Sequence, residues 1–247
     1  MNFLDLKDIS ERYMDLINPT SSEKIITIGN YAGLGLGSRV IDFGCGFGEA
    51  LALWAEYFGI SGVGIDLREY ACKRARTRLK EGGFDDRIEI LCAEASRYRF
   101  DPHTFDVAAC IGATFIWGGF SATIRAMKEA IPTSGKLIIG EAHWIKEPVP
   151  PEYLQAELDF HTEYQLLQIA RQEGFDFEYM VRASHDDWDR YEAGNWYGLQ
   201  RWIEENPDHP ERQQVIDHLH ESQDSYLRYG KEYLGWAIYV LNSAHYR

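Results

Sequence analysis

The stretch that decides the fold reads VIDFGCGFGE and spans residues 40–49. Its first four residues are apolar except for Asp42, as expected of a buried strand that ends beside a carboxylate. Gly44, Gly46 and Gly48 follow at alternate positions, and glycine lets the backbone turn tightly and approach a ligand closely. The stretch therefore predicts a strand, a glycine loop and a helix start, the arrangement of a nucleotide-binding α/β protein.

The spacing of the glycines indicates which kind of nucleotide this loop binds. The dinucleotide fingerprint needs its third glycine one position later, where this chain has Glu49. Asp42 would repel a pyrophosphate, whereas its carboxylate would attract a positively charged ligand group. S-adenosylmethionine is a nucleoside that carries a sulfonium and an ammonium, so it fits better than NAD. An NAD-dependent oxidoreductase remains an alternative, because it would share the same strand, loop and helix.

Further segments extend this interpretation along nearly the whole chain. The sequence resembles the class I S-adenosylmethionine-dependent methyltransferases, and most closely a bacterial subgroup that acts on small molecules. The resemblance rests on the glycine loop and on these segments: Gly62–Asp66, Ile17–Pro19, Cys110–Thr114, Trp117–Gly119, Ile139–Glu141 and Trp188–Ala193.

The resemblance implies a role for most residues of a cofactor site. The glycine loop would contact the methionine part, with Asp42 facing its ammonium, and Asp66 would accept hydrogen bonds from the ribose hydroxyls. Leu67 would pack against the adenine, Glu94 would accept from its amine, and the Ala95 N–H would donate to a ring nitrogen. The complete expected cofactor set is Asp42, Gly44, Cys45, Gly46, Gly48, Asp66, Leu67, Glu94, Ala95, Cys110 and Gly112.

Alternating strand and helix patterns predict an α/β fold with helices on both faces of one sheet. We expect a Rossmann-like, seven-stranded, mostly parallel sheet of order 3-2-1-4-5-7-6, as the family implies, with an antiparallel pair at its edge. The whole chain, residues 1–247, would form a single methyltransferase domain. Its expected parts are N-terminal helices (1–37, with a first helix over 9–17), a cofactor-binding core (38–183), a helical cap insertion between strands six and seven (184–231) and a last strand (232–247).

The cap insertion and the loops after strands four and five would hold the methyl acceptor. The expected substrate-binding residues are Asn18, Trp117, Trp144, Trp188 and Tyr191. The alternative for the cap aromatics is that they pack the insertion onto the sheet.

Two residues at and just after the end of the predicted strand five (135–141) are candidate catalytic bases, Glu141 and His143. A base is needed where the acceptor must lose a proton. The alternative for His143 is an ordinary surface loop residue.

Composition narrows the partners. A formal net charge of −14 would repel a phosphate backbone, which argues against nucleic acid and favours a small-molecule acceptor. An RNA or protein methyltransferase, or a non-catalytic partner subunit that binds S-adenosylmethionine, stays as an alternative. The first residues show no secretory signal, no run spans a bilayer, and the cysteines have no paired spacing, so we expect a cytoplasmic protein without a membrane segment. No metal site is predicted, because His218 and His220 would face different sides of a helix.

Overall fold

The structure is a computed structural model that describes residues 1–154 and 160–244. Its strands are β1 (Arg39–Phe43), β2 (Ser61–Asp66), β3 (Ile88–Cys92), β4 (Val107–Ile111), β5 (Lys136–Trp144), β6 (His161–Thr162), β7 (Phe175–Arg182) and β8 (Leu234–Ser243). The α-helices are α1 (Phe3–Ser10), α2 (Ser22–Tyr31), α3 (Glu49–Phe58), α4 (Glu69–Glu81), α5 (Phe120–Met127), α6 (Pro151–Leu154), α7 (Glu163–Gln172), α8 (His185–Glu205), α9 (Arg212–Ser225) and α10 (Lys231–Tyr233). A π-helical turn, Tyr226–Gly230, joins the last two helices.

The strands form one mostly parallel sheet in the order β3-β2-β1-β4-β5-β8-β7. β8 is antiparallel to both β5 and β7, which confirms the predicted antiparallel edge and, with β7 and β8 as strands six and seven, the predicted order. The sheet has one strand more than expected, because the two-residue β6 pairs in parallel with the end of β5. So short a strand leaves no alternation of apolar and polar residues in the sequence.

Strand order reverses between β1 and β4, which are hydrogen-bonded neighbours while the chain continues from β1 to β2 on the other side. In open parallel sheets such a reversal leaves a crevice beyond the carboxyl ends of the strands. The glycine loop lies in this crevice with positive φ at Gly44 (76°) and Gly46 (54°), a backbone region that glycine adopts without strain. The fold thus places the loop at the carboxyl edge of the sheet.

Helices cover both faces of the sheet and form a buried core on each side. On one face α2, α3 and α4 pack through Ile28, Leu51, Trp54 and Leu79. On the other face α5 and α7 contribute to a second core with Phe120, Ile124, Met127 and Leu166. The apolar residues of the strands are buried between these two layers, which makes the crevice edge a rigid support.

The insertion between β7 and β8 consists largely of α8 and α9, as predicted, and it packs on the N-terminal helix α1. Leu6 of α1 belongs to a third, smaller core with Leu199, Ile203, Val215 and Leu219. At Gly198 the two backbones lie so close that a Cβ would overlap the carbonyl of Ser10. Helix α1 and the insertion therefore form one layer over the carboxyl edge of the sheet.

Two predicted boundaries were wrong, and local contacts explain both. The first helix covers Phe3–Ser10 rather than residues 9–17, because Asn2 caps it and Asp5 bonds back to the Asn2 N–H. β5 continues to Trp144 instead of ending at residue 141, because β8 pairs with it along its whole length. Glu141 and His143 therefore lie within the strand. Over residues 1–154 and 160–244, no helix is long and apolar enough to cross a membrane.

Candidate functional site

Two cavities adjoin each other at the carboxyl edge of the sheet. The first, which we call the glycine-loop cavity, has a volume of about 430 Å³ and lies against the glycine loop. The second, the cap cavity, has a volume of about 550 Å³ and lies between β5, the loop after β4, and α8. Both cavities are lined by four of the same residues, Asn18, Gly112, Phe115 and Tyr191, which we call the shared wall. Two ligands, one in each cavity, would therefore contact the same wall.

Asp42 is the most informative side chain of the glycine-loop cavity. It lies in β1, is 3% exposed, and its Oδ1 atom has no hydrogen-bond partner. Burial, together with the nearby charge of Asp66, raises the pKa of Asp42 to about 7. A buried carboxylate without a partner is costly, and a cationic ligand group would remove that cost. The cavity thus has the polarity expected for an ammonium or sulfonium.

Asp66 ends β2 and fixes the glycine loop. Its Oδ2 atom accepts a hydrogen bond from the backbone N–H of Gly46 at 2.9 Å, and its Oδ1 atom accepts from the N–H of Arg68 at 2.9 Å. Each carboxylate oxygen retains capacity for a second hydrogen bond. Asp66 can therefore hold the loop and accept from a ligand at the same time.

Three charged residues that the sequence analysis missed connect this site to α1 and the insertion. Arg68 donates to Glu11 at 2.7 Å, and the Nζ of Lys7 lies 3.3 Å from the same carboxylate. Lys7 also donates to the hydroxyl of Tyr191 in α8 at 3.2 Å. Lys7, Glu11 and Arg68 all line the glycine-loop cavity. Lys7 and Glu11 are four residues apart, but Arg68 and Tyr191 lie 57 and 184 residues from their partners, so the sequence gave no sign that these groups meet.

The expected adenine residues lie together at the far end of the glycine-loop cavity. Leu67 is 57% exposed and lines the cavity with Glu94 and Ala95, so an apolar face is open to a ligand. The Glu94 carboxylate accepts from the Ser96 hydroxyl at 2.9 Å and lies 3.0 Å from the Arg97 guanidinium. Glu94 is thus already held in place, two residues after the end of β3.

The described lining of both cavities lacks five expected site residues: Gly48, Cys110, Trp117, His143 and Trp144. Cys110 is fully buried in β4 as part of the sheet core, and Gly48 caps α3, where a Cβ would lie 3.0 Å from the Cβ of Ala75. Trp117 packs edge-on against Phe43 at 5.1 Å, and Trp144 packs against Tyr153 and Phe160. Both tryptophans therefore pack against neighbouring aromatic side chains. Cys45, Gly44, Gly46, Gly112 and Asn18, in contrast, do line the glycine-loop cavity.

Glu141 is the charged side chain of the cap cavity. It projects from β5, and its Oε2 atom is buried without a hydrogen-bond partner. Burial raises the pKa of Glu141 to about 7, although a hydrogen bond with Thr114 acts in the opposite direction. The Nε1 atom of Trp188, which also lines this cavity, is likewise buried without a partner. Two side chains that line the cavity thus each have a buried polar atom without a hydrogen-bond partner, a carboxylate oxygen and an indole N–H.

His143 lies on the same strand but away from the described lining of both cavities. It is 3% exposed, so the alternative of a surface loop histidine is wrong. Its ring lies 3.4 Å from the Tyr239 hydroxyl and 3.7 Å from the Glu163 carboxylate, and burial lowers the pKa of His143. These contacts anchor β5 to β8 and α7.

Comparison with known proteins gives one consistent result. A family described as a methyltransferase domain matches residues 40–135. An uncharacterized Escherichia coli protein, YjhP, is 35% identical over 238 residues, which cover 94% of this chain and 96% of YjhP.

Two solved structures are similar over almost the entire chain. A methyltransferase from Thiobacillus denitrificans superposes with a TM-score of 0.91 at 33% identity, covering 98% of this chain and 100% of the other. One from Geobacter sulfurreducens gives 0.91 at 36% identity, covering 97% and 98%. Both are described as S-adenosylmethionine-dependent and were solved with S-adenosyl-L-homocysteine. With its glycine loop, sheet order and two adjoining cavities, this chain belongs to the class I S-adenosylmethionine-dependent methyltransferases.

Proposed function

We propose that the protein transfers a methyl group from S-adenosylmethionine to a small organic acceptor and releases S-adenosylhomocysteine. The observation that carries the proposal is the pair of cavities with a shared wall. A cofactor in one cavity and an acceptor in the other would meet at Asn18, Gly112, Phe115 and Tyr191.

The residues of the glycine-loop cavity fit the chemistry of the cofactor. The unpartnered Asp42 carboxylate suits the ammonium of its methionine part. Asp66, at the end of β2, suits the ribose hydroxyls, and Leu67 with Glu94 and Ala95 suits the adenine. The two methyltransferases solved with S-adenosyl-L-homocysteine, each similar over nearly the whole chain, support this assignment.

The cap cavity is assigned to the acceptor. Its volume of about 550 Å³ lies within the range of small-ligand sites, about 300–1,000 Å³. The cofactor supplies a methyl group that is already activated by the positive sulfur, so the protein's task is to position the acceptor and exclude water. The aromatic side chains of α8 and of the loop after β4 would exclude water. Where an acceptor has to lose a proton, Glu141 is the base that lines the cavity.

The charge of the molecule supports a small acceptor over a polymer. A formal net charge of −14 would repel RNA, and neither cavity needs a polymer to fill it. We therefore favour small O-, N-, S- and C-nucleophiles as methyl acceptors over RNA and protein.

Calorimetry followed by a turnover screen tests the proposal. S-adenosylhomocysteine should bind with one-to-one stoichiometry, and a panel of small nucleophiles should then be screened for S-adenosylhomocysteine release. Asp66→Ala protein run through the same panel identifies background release. Absence of cofactor binding would refute the methyltransferase assignment, whereas methylation of RNA or protein but of no small nucleophile would refute the acceptor class.

A further inference from the structure

The geometry of the cap cavity points to a small organic amine as the acceptor, bound as its ammonium ion with Glu141 as the counter-ion. This inference rests on the proposed function and goes beyond it, because it names the chemical class of the acceptor and the atom that receives the methyl group.

The first observation is the charge of the lining. Among the described residues that line the cap cavity, Glu141 is the one Asp, Glu, Lys or Arg. Its buried Oε2 atom lacks a hydrogen-bond partner, so an ionised Glu141 awaits a donor from the ligand. An anionic acceptor would be repelled by an ionised Glu141, and a neutral one would leave that charge uncompensated, which favours the protonated form of Glu141. An ammonium group supplies both the positive charge and the donor.

The second observation is the aromatic character of the same lining. Six aromatic side chains surround the cavity, namely Phe115, Phe120, Phe160, Trp188, Tyr191 and Trp236. A cation over an aromatic face is attracted by the negative charge density of the ring, and more strongly when water is excluded. A carboxylate among aromatic rings therefore favours a cation over a neutral molecule of the same shape.

A third observation limits the acceptor further. The buried Nε1 atom of Trp188 has no partner, and an indole N–H can only donate. An amine that also carries an ether, hydroxyl or carbonyl oxygen would accept this hydrogen bond. The inferred class is thus a primary or secondary amine with an oxygen acceptor nearby.

The proton balance of such a reaction closes on Glu141. The bound ammonium gives one proton to Oε2 of Glu141, a carboxylate whose pKa is raised by burial to about 7 in the ligand-free protein. The freed nitrogen lone pair forms the new bond to the methyl carbon. The carbon–sulfur bond breaks with its electron pair left on sulfur, which yields the methylated ammonium and S-adenosylhomocysteine.

Three probes that differ in one terminal group test the inference. 2-Phenoxyethylamine, 2-phenoxyethanol and phenoxyacetate share a ring and an ether oxygen but end in a cation, a neutral group and an anion. Each is titrated by calorimetry into protein saturated with S-adenosylhomocysteine. We expect the amine to bind at least about tenfold more tightly than the alcohol, with phenoxyacetate weakest.

Variants then locate the preference. Glu141→Gln keeps the shape and removes the charge, so it should abolish the amine preference and leave S-adenosylhomocysteine affinity within about twofold. Glu178→Gln is the matched control, because it removes the same charge from an exposed pair with Lys136. Glu141→Asp keeps the charge and should retain part of the preference, which provides a second test if the glutamine variant does not fold.

The inference is overturned by failure of the amine to bind, by equal affinity of amine and alcohol, by tightest binding of phenoxyacetate, or by a preference that survives in Glu141→Gln. Loss of S-adenosylhomocysteine binding in the unmodified protein would be a different result and would refute the proposed function instead.

Discussion

The two cavities are built in different ways, although they share a wall. The polar groups of the glycine-loop cavity that we assign to the cofactor lie between Asp42 and Gly112, each at the end of a parallel strand or just beyond it. The cap cavity gathers its lining from residue 18 to residue 236, across six separate parts of the chain. Each cavity has a buried carboxylate with a pKa of about 7, Asp42 in the first and Glu141 in the second. The residues assigned to the cofactor are therefore close together in the sequence, whereas the residues of the proposed acceptor site come from distant segments.

The largest effect should come from Asp66→Ala, which attacks the glycine-loop cavity alone. Loss of a hydrogen bond to a charged group costs about 1.5–3 kcal/mol, so S-adenosylhomocysteine should bind roughly ten- to a hundredfold more weakly by calorimetry. Asp106→Ala is the control, because Asp106 accepts from the Arg39 N–H at the opposite edge of the sheet. Equal affinities in the two variants would contradict the assignment of Asp66.

The pH dependence of cofactor binding should be nearly as large. Asp42 has a pKa of about 7 in the ligand-free protein and must be ionised to pair with an ammonium. The affinity for S-adenosylhomocysteine should therefore fall by up to about tenfold for each pH unit below about 7, and Asp42→Asn should flatten this dependence. A slope unchanged in the variant would exclude Asp42 as the titrating group.

Asp42 should also make the stability of the ligand-free protein depend on pH, but in the opposite direction: stability should fall, not rise, with increasing pH. Because the pKa of Asp42 is raised from 3.8 to about 7 on folding, the ligand-free folded protein holds a proton that the unfolded chain has released in this pH range. The contribution of Asp42 to the free energy of unfolding therefore decreases as the pH rises from 3.8 to about 7. Asp42→Asn should raise the thermal midpoint at pH 8 and change it little at pH 4, as scanning calorimetry would show.

A smaller effect, confined to the cap cavity, is expected from Trp188→Ala. Trp188 lines that cavity, so its loss should raise the KM of the acceptor found in the screen by about tenfold while cofactor affinity stays within twofold. Trp196→Ala is the matched control, because Trp196 lies in the same helix but bonds Ser222 within the insertion. If both variants raise the KM of the acceptor equally, the aromatic residues of α8 affect acceptor binding only by packing the insertion, without contacting the acceptor.

Gly112→Ala should have the smallest effect. Because Gly112 lines both cavities, this substitution should affect the ligands of both rather than of one. Gly112 has φ 76°, and a Cβ there would overlap the side-chain oxygen of Asn18 in the shared wall. Both ligands should bind a few-fold more weakly. Gly83→Ala carries a similar backbone penalty of about 1 kcal/mol at φ 71° with no atom within 4 Å, so it should lower stability alone.

Much of the fold was predictable from the sequence because each signal was local. The strand, glycine loop and helix start predicted from residues 40–49 are observed as β1, the loop itself and the start of α3, because an apolar run and the glycines mark each boundary. Boundaries fixed by distant contacts were not predictable: β5 extends to Trp144 because β8 pairs with it, and the chain contains no local sign of that pairing.

The candidate site shows the same limit. Asp42, Asp66, Gly44 and Gly46 line the cavity that their positions predicted, whereas Trp117 and Trp144 pack against other aromatic side chains, away from the described lining. An aromatic residue in a loop can face a ligand or a neighbouring side chain, and the sequence does not distinguish the two. Lys7, Glu11 and Arg68 were missed because their pairing depends on how α1 lies across the sheet.

The shared wall has a thermodynamic consequence that is independent of the acceptor's identity. Whatever factor a ligand in one cavity applies to affinity in the other must act equally in the reverse direction, because linkage between two binding sites is reciprocal. Ligands of the cap cavity can therefore be found without observing turnover, as compounds that shift the dissociation constant of S-adenosylhomocysteine. Because both cavities share the wall formed by Asn18, Gly112, Phe115 and Tyr191, S-adenosylhomocysteine binding in the glycine-loop cavity can be used to detect ligands of the cap cavity.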